Sequence, residues 1–226
     1  DVMAAPRRMV VFDVDGTLAD SQSEIVQAMA AAFDTVGIKA PTRDAILDIV
    51  GLSLPQVMMR LAPNARDGQA AALVEAYKRA YHVQRVERGV SPLYPYAATV
   101  VQDLGARDDV VLGVATGKSR RGLDALLAAH QLTECFVTTQ VSDNHPSKPA
   151  PEMLLAACEA ASVAPRHTVM LGDTSYDMQM ARAAGAVAIG ASWGYHAADQ
   201  LGDAHMVIDD IRLLPGLLGQ IWSQMK

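Results

Sequence analysis

No apolar run in this chain approaches the roughly 20 residues that a bilayer-spanning helix requires, so no membrane segment is expected. The N-terminal stretch Asp1–Met9, DVMAAPRRM, has two arginines but no apolar segment behind them, and it does not read as a secretory leader. Lysine and arginine are scattered and the net charge is −6, so the electrostatic footprint of a nucleic-acid binder is missing. Cysteine is scarce: Cys135 and Cys158 lie far apart and form no CxxC pair, which predicts two buried thiols in a cytoplasmic protein. None of the six histidines has a partner at a metal-ligand spacing such as H-x3-H. No internal repeat is present, and the only bias is a set of alanine-rich helical stretches.

Half of the 226 residues are apolar, enough for one large domain or a main domain with a smaller insert. From about residue 97 onward, strand and helix signals alternate. Helical spacing over 97–106 precedes the β-branched run VVLGVA at 110–115. A helix over 119–130 follows, with Leu123, Leu126 and Leu127 on one face. Strands are predicted at 135–139, 168–171, 186–189 and 206–208, and helices at 151–161, 176–184 and 213–225. Continuous apolar strands alternating with helices imply an α/β fold with a Rossmann-like parallel sheet covered on both faces.

Residues 20–90 break that rhythm and carry no strand signal. Ser21-Gln22-Ser23-Glu24 fits a capping box. Ile25, Met29, Ala32, Phe33 and Val36 then form one helical stripe, and Gly37 is a stop signal. Further helices are expected over 42–50, 55–61 and 69–88. The division expected is a core made of 1–19 and 91–226 and an inserted α-helical cap over 20–90. The Met-rich VMMRL at 57–61 reads as cap core.

Chemistry concentrates where strands end. In open parallel sheets, ligands bind outside the carboxyl ends of the strands. The run MVVF leads straight into Asp13 and Asp15, then Gly16 and Thr17. Thr116 and Gly117 follow the strand VLGVA; Asp173 follows TVMLG, with Asp177 four residues on. Four carboxylates on one rim would repel one another and raise each other's pKa. They call for positive charge, and Mg²⁺ with its preference for carboxylate oxygen suits them. Lys148, in the loop SKPAP, can supply another.

These residues carry a family resemblance. FDVDGTLADS is similar to the first signature of the haloacid dehalogenase-like hydrolases, in their phosphatase branches. Thr116 in VATGKS matches the second, Lys148 in SKPAPEM the third, and LGDTSYDMQMARAAG the fourth, in the expected order. Within that superfamily the chain most resembles phosphoglycolate phosphatase-like proteins, through GLSL, ATGKSRRGLD and SWGY.

The resemblance implies a Mg²⁺-dependent phosphatase acting on a small phosphorylated metabolite. Asp13 would be the nucleophile that forms an aspartyl-phosphate, and Asp15 the acid and base. Thr116, the Gly117 N–H and Lys148 would hold the phosphoryl oxygens. Mg²⁺ would be bound by Asp13, Asp173 and the backbone carbonyl of Asp15, while Asp177 acts through a water or holds Lys148. A phosphosugar mutase, a pyrophosphatase and a metal-independent haloacid dehalogenase are the rival activities.

Other residues keep two readings. Lys118, Arg120 and Arg121 either attract an anionic substrate or form a solvated helix face. Trp193-Gly194-Tyr195 either wall the site or pack under a loop. Tyr96 stands where relatives often have the glycine of a Pro-Gly pair, which predicts an altered hinge or a bulkier group at the seam.

Overall fold

A computed structural model describes residues 7–224. Most of the N-terminal stretch tested for a leader, and Met225 at the predicted end of the last helix, lie outside them. Six strands form one sheet: β1 (Arg8–Phe12), β2 (Val110–Thr116), β3 (Thr138–Val141), β4 (Thr168–Gly172), β5 (Val187–Ala191) and β6 (Met206–Ile208). Their order is β3-β2-β1-β4-β5-β6 and every pairing is parallel.

Side chains alternate across a strand, and β1 shows what that does. Val10 and Phe12 face one layer with Leu112, Val114, Leu126 and Trp222; Met9 and Val11 face the other with Leu154, Met170 and Met178. The first layer is supplied by α5 (Ala97–Gly105), α6 (Arg120–Ala129) and α9 (Leu214–Ser223). The second comes from α7 (Glu152–Ala161) and α8 (Ser175–Ala184). A sheet buried on both faces has no polar side to show, so its strands read as unbroken apolar runs.

Between β1 and α5 stand four helices: α1 (Gln22–Val36), α2 (Arg43–Asp48), α3 (Leu54–Leu61) and α4 (Gln69–Arg88). They share a third apolar cluster built on Ile25, Met29, Phe33, Ile46, Met58 and Leu73. Gly37 ends α1 in the left-handed region at φ 78. Of the adjacent methionines, Met58 is buried and Met59 exposed, so only half of that pair is core. The chain leaves for this block and returns from it side by side. The Asp20 N–H donates to the Pro92 carbonyl at 2.9 Å and the Tyr94 N–H to the Leu18 carbonyl at 2.8 Å.

Two expectations need correction here, and Tyr96 takes a definite form. The strand read at 135–139 is displaced: Thr133–Cys135 form a 3-10 turn and β3 starts at Thr138. Phe136 packs edge-on against Phe12 at 6.3 Å, so that residue anchors the approach and pairing with Gly113–Thr116 sets the ladder. Cys135 is only half buried, while Cys158 is buried. Tyr96 takes a left-handed backbone, φ 66, just before α5, the region that glycine enters most readily. Its half-exposed ring lies under the Arg212 guanidinium at 4.1 Å.

Among the described residues no helix is long and apolar enough to cross a membrane.

Candidate active site

With β1 at the centre of the sheet, the ends of β2 and β4 are its direct neighbours. Phe12 is level with Val114 on one side and Leu171 on the other, and the Asp13 N–H donates to the Leu171 carbonyl at 3.0 Å. Asp13, Thr116 and Asp173 are therefore delivered to one edge by register alone. β1 itself stops at Phe12, so both Asp13 and Asp15 sit in the turn beyond it.

Asp13, Asp173, Asp177 and Lys148 are all buried. Carboxylate oxygens of the three aspartates lie within 4.8 Å of one another. Lys148 Nζ donates to Asp177 Oδ1 at 2.7 Å and sits 3.2 Å from Asp13 Oδ1. Asp177 Oδ2 accepts from the Thr174 N–H and hydroxyl, closing a capping box at the start of α8, so both its oxygens are engaged. Asp173 accepts from the Thr17 hydroxyl at 3.0 Å and from the Tyr195 N–H at 2.9 Å. Gly16, at φ +85, is the only residue that fits its position, because a Cβ there would fall 2.0 Å from Asp173 Oδ2.

One ammonium among three carboxylates leaves the cluster short of positive charge. Burial, then Asp177, push the Asp13 carboxyl well above its usual range, and Lys148 does not offset them. Burial, then Asp177, push Asp173 up to about 7 against the Tyr195 and Thr17 hydrogen bonds. Burial alone would favour neutral Lys148, yet Asp13 and Asp177 outweigh it and keep the ammonium. Asp13 Oδ2 is buried with no hydrogen-bond partner. An orphaned carboxylate oxygen beside two more acidic groups is a donor set of hard oxygens, which fits a divalent cation such as Mg²⁺.

Asp15 lies in different surroundings. Lys118 Nζ approaches its Oδ1 at 3.1 Å and rests over the Tyr81 ring of α4 at 5.0 Å. Burial weakens that ammonium, but Asp15 and Tyr81 more than restore it. Ser21 stands at the N-cap position of α1 but makes no capping bond. Its hydroxyl donates instead to Asp15 Oδ1, and its N–H donates to the Tyr195 hydroxyl. The capping box read from the sequence is thus replaced by a tie to the site.

Thr116 is buried, and its hydroxyl accepts from the Lys118 N–H at 3.1 Å. Gly117 meets the helical block: a Cβ there would fall 2.6 Å from the Gly51 carbonyl oxygen. Trp193-Gly194-Tyr195 do both things the sequence allowed. Trp193 Nε1 donates to the Thr17 carbonyl, fastening the strap, while Tyr195 contacts Asp173. A cavity of about 680 Å³, reached by Asp13, Asp15, Thr116, Gly117 and Lys118, lies between these residues and the helical block.

Sequence reasoning brought Asp13, Asp15, Thr116, Gly117, Lys148, Asp173 and Asp177 to one place. It read Ser21 only as a helix cap and left Lys118 and Tyr195 undecided. For Lys118 a signal was available, since it stands two residues beyond Thr116 at the same strand end. For Tyr195 the sequence offered a place near the site but not the bond itself, because a backbone N–H contact depends on how the strap folds.

Known proteins show which family this fold and sequence belong to. A family model described as haloacid dehalogenase-like hydrolase matches residues 10–191. The protein named "Probable phosphatase IndB" of Dickeya dadantii is 35% identical over 198 residues, 85% of this chain and 84% of that protein. A phosphoglycolate phosphatase of Pseudomonas putida is 30% identical over 225 residues, covering 92% and 79%. The crystal structure of a hydrolase from Pseudomonas syringae superposes with a TM-score of 0.82 at 25% identity, over 93% of this chain and 98% of that one. With its sheet, its acidic strand ends and these phosphatase relatives, the chain belongs to the haloacid dehalogenase-like hydrolase family.

Proposed function

We propose that this protein is a Mg²⁺-dependent phosphatase that hydrolyses a small phosphate monoester, with phosphoglycolate as the named candidate. The observation that carries the reading is Asp13 Oδ2, a buried carboxylate oxygen with no partner, at the end of the central strand. Asp13 lines the cavity, and a carboxylate oxygen there that no hydrogen bond occupies is what a nucleophile needs. Asp13 attacks phosphorus and forms an aspartyl-phosphate as the alcohol departs. Asp15, set back beside Lys118 and Ser21, protonates the leaving oxygen and then takes a proton from the water that opens the intermediate. The Thr116 hydroxyl, the Gly117 N–H and the Lys148 ammonium hold the equatorial phosphoryl oxygens.

Asp13, Asp173 and the Asp15 backbone carbonyl hold Mg²⁺ in this reading, and Asp177 keeps Lys148 in place. The bound cation supplies charge neutralisation for the incoming phosphate. Residues 20–90 act as a cap on a core made of 1–19 and 91–226, and exclude bulk water from the ester. A cytoplasmic setting suits the two free thiols.

The test is phosphate release from a panel of phosphoglycolate, sugar phosphates and pyrophosphate, with and without Mg²⁺. Asp13→Asn is expected to lower turnover by on the order of 10⁴-fold or more, the scale of losing a covalent nucleophile, with an unchanged circular-dichroism spectrum. Turnover retained in that variant removes Asp13 from its role, and wild-type rates indifferent to Mg²⁺ remove the cation.

A further inference from the structure

The cavity has a second charged pole that the reaction at Asp13 does not use. His82 and Arg85 on α4 face Arg121 on α6 across the seam between the helical block and the core. His82 Nδ1 lies 3.2 Å from Arg85 Nη2, and His82 Nε2 lies 3.2 Å from Arg121 Nη2. A guanidinium only donates, and a neutral imidazole has one accepting nitrogen and one N–H. One of these two contacts therefore sets donor against donor. Partial burial and the two guanidiniums also hold the His82 pKa below its ordinary value, so protonation offers no relief.

No acid answers this pair. Among the described residues, neither Arg85 nor Arg121 has a carboxylate within the 4.0 Å of an ion pair. Apart from Asp13, the carboxylates lining the cavity are engaged. Glu75 pairs with Lys78 at 3.8 Å, Asp143 accepts from the Arg120 N–H at 2.9 Å, and Asp15 is held by Lys118. Two forked cations, one from each side of a seam and both facing the cavity that holds Asp13, suit an oxyanion that accepts from both.

We infer that Arg85 and Arg121 bind a second anionic group on the substrate, a carboxylate or a second phosphate, apart from the phosphoryl group that reacts. This rests on the phosphatase reading for the chemistry at Asp13, and it narrows the substrate class to phosphate esters with an anionic tail. An anion between the two guanidiniums replaces the donor–donor contact at His82, and it draws α4 onto α6 as the ester is seated.

The Asp13→Asn protein holds an ester without consuming it, so binding is measured there by calorimetry with Mg²⁺ present. The probes are 2-phosphoglycolate, ethane-1,2-diol bisphosphate and ethyl phosphate, which differ only in the tail. The first or the second is expected to bind at least about tenfold tighter than ethyl phosphate, the scale of charge-assisted hydrogen bonds. Whichever is favoured tells carboxylate from phosphate. Adding Arg85→Gln and Arg121→Gln is expected to cut that advantage below about threefold, and Arg121→Gln alone, on an exposed helix position, to reduce it in part. Equal affinities for all three probes, no binding of any, or an advantage that survives the double substitution overturns the inference. If the wild-type protein hydrolyses none of these esters, the phosphatase reading falls while the binding comparison still decides this one. If it is active but Asp13→Asn binds without preference for a tail, only the basic pole falls.

Discussion

Where Asp13 lines the cavity, three buried carboxylates have one lysine among them, and it pairs with two. At the second pole, two arginines face each other across a histidine with no carboxylate between them. The first pole is short of positive charge and the second short of negative charge. Lys148 and Lys118 mark the contrast. The Lys148 side chain is 0% exposed and divides itself between Asp13 and Asp177; that of Lys118 is 8% exposed and serves Asp15 alone. In the reading proposed above, these opposite imbalances suit something with both signs: a cation beside Asp13 and an anionic tail beside Arg85 and Arg121.

Substitutions can break that contrast. The largest effect is expected from Lys148→Met, which strips the acidic pole of its only ammonium. Removing one partner of a buried ion pair costs about 3–5 kcal/mol, and urea unfolding without divalent cations should register a loss of that size. Mg²⁺ should then restore more stability to the variant than it adds to the wild type. A variant as stable as the parent would mean that the three carboxylates are not charge-starved.

A smaller effect comes from proton linkage at the same pole. Asp173 is raised from 3.8 to about 7 in the folded, metal-free protein. Between those values the folded state holds a proton that the unfolded chain has released, so this group's contribution to metal-free stability falls as pH rises through that window. A cation must displace the proton, so apparent Mg²⁺ affinity should climb by up to about tenfold per pH unit below about 7 and level off above it. Calorimetry in buffers of different ionisation heat counts the protons released. An affinity flat from about pH 5 to about pH 7 would contradict the raised Asp173.

The smallest change is expected at the other lysine. Lys118→Met leaves Asp15 with the Ser21 hydroxyl and some access to solvent, and should cost about 1 kcal/mol in the same urea experiment. A loss as large as that of Lys148→Met would erase the difference between the two lysines.

Much of this was readable before any coordinates, and the reason is physical. A strand buried on both faces must be apolar throughout, so β1, β2 and β4 stand out, and the polar residues at their ends are conspicuous. Parallel pairing then brings those ends together. Asp13, Thr116 and Asp173 were found that way, with Asp177 four residues beyond Asp173, and the family's order of signatures then gave Asp177 and the loop lysine Lys148 their roles. Partners that depend on packing were not readable. Ser21 has the spacing of a helix cap, but Asp15 competes for its hydroxyl and wins. The Arg85–His82–Arg121 contact joins helices far apart in the chain, and only the seating of α4 against α6 creates it. The displaced β3 shows the same limit on a smaller scale, since a short β-branched run does not say which of its residues enters the ladder.

The side-by-side crossing at Asp20 and Pro92 has a consequence for the protein's modularity. Because the intervening helices depart and return at one spot, a tight hairpin of roughly two to five residues could join the two ends in their place. None of the six strands would lose a pairing partner, and Lys148 would keep both its aspartates. On the proposed reading, what would go is selectivity for the tail of the ester, because Arg85 leaves with the excised helices while Asp13 and Lys148 stay behind.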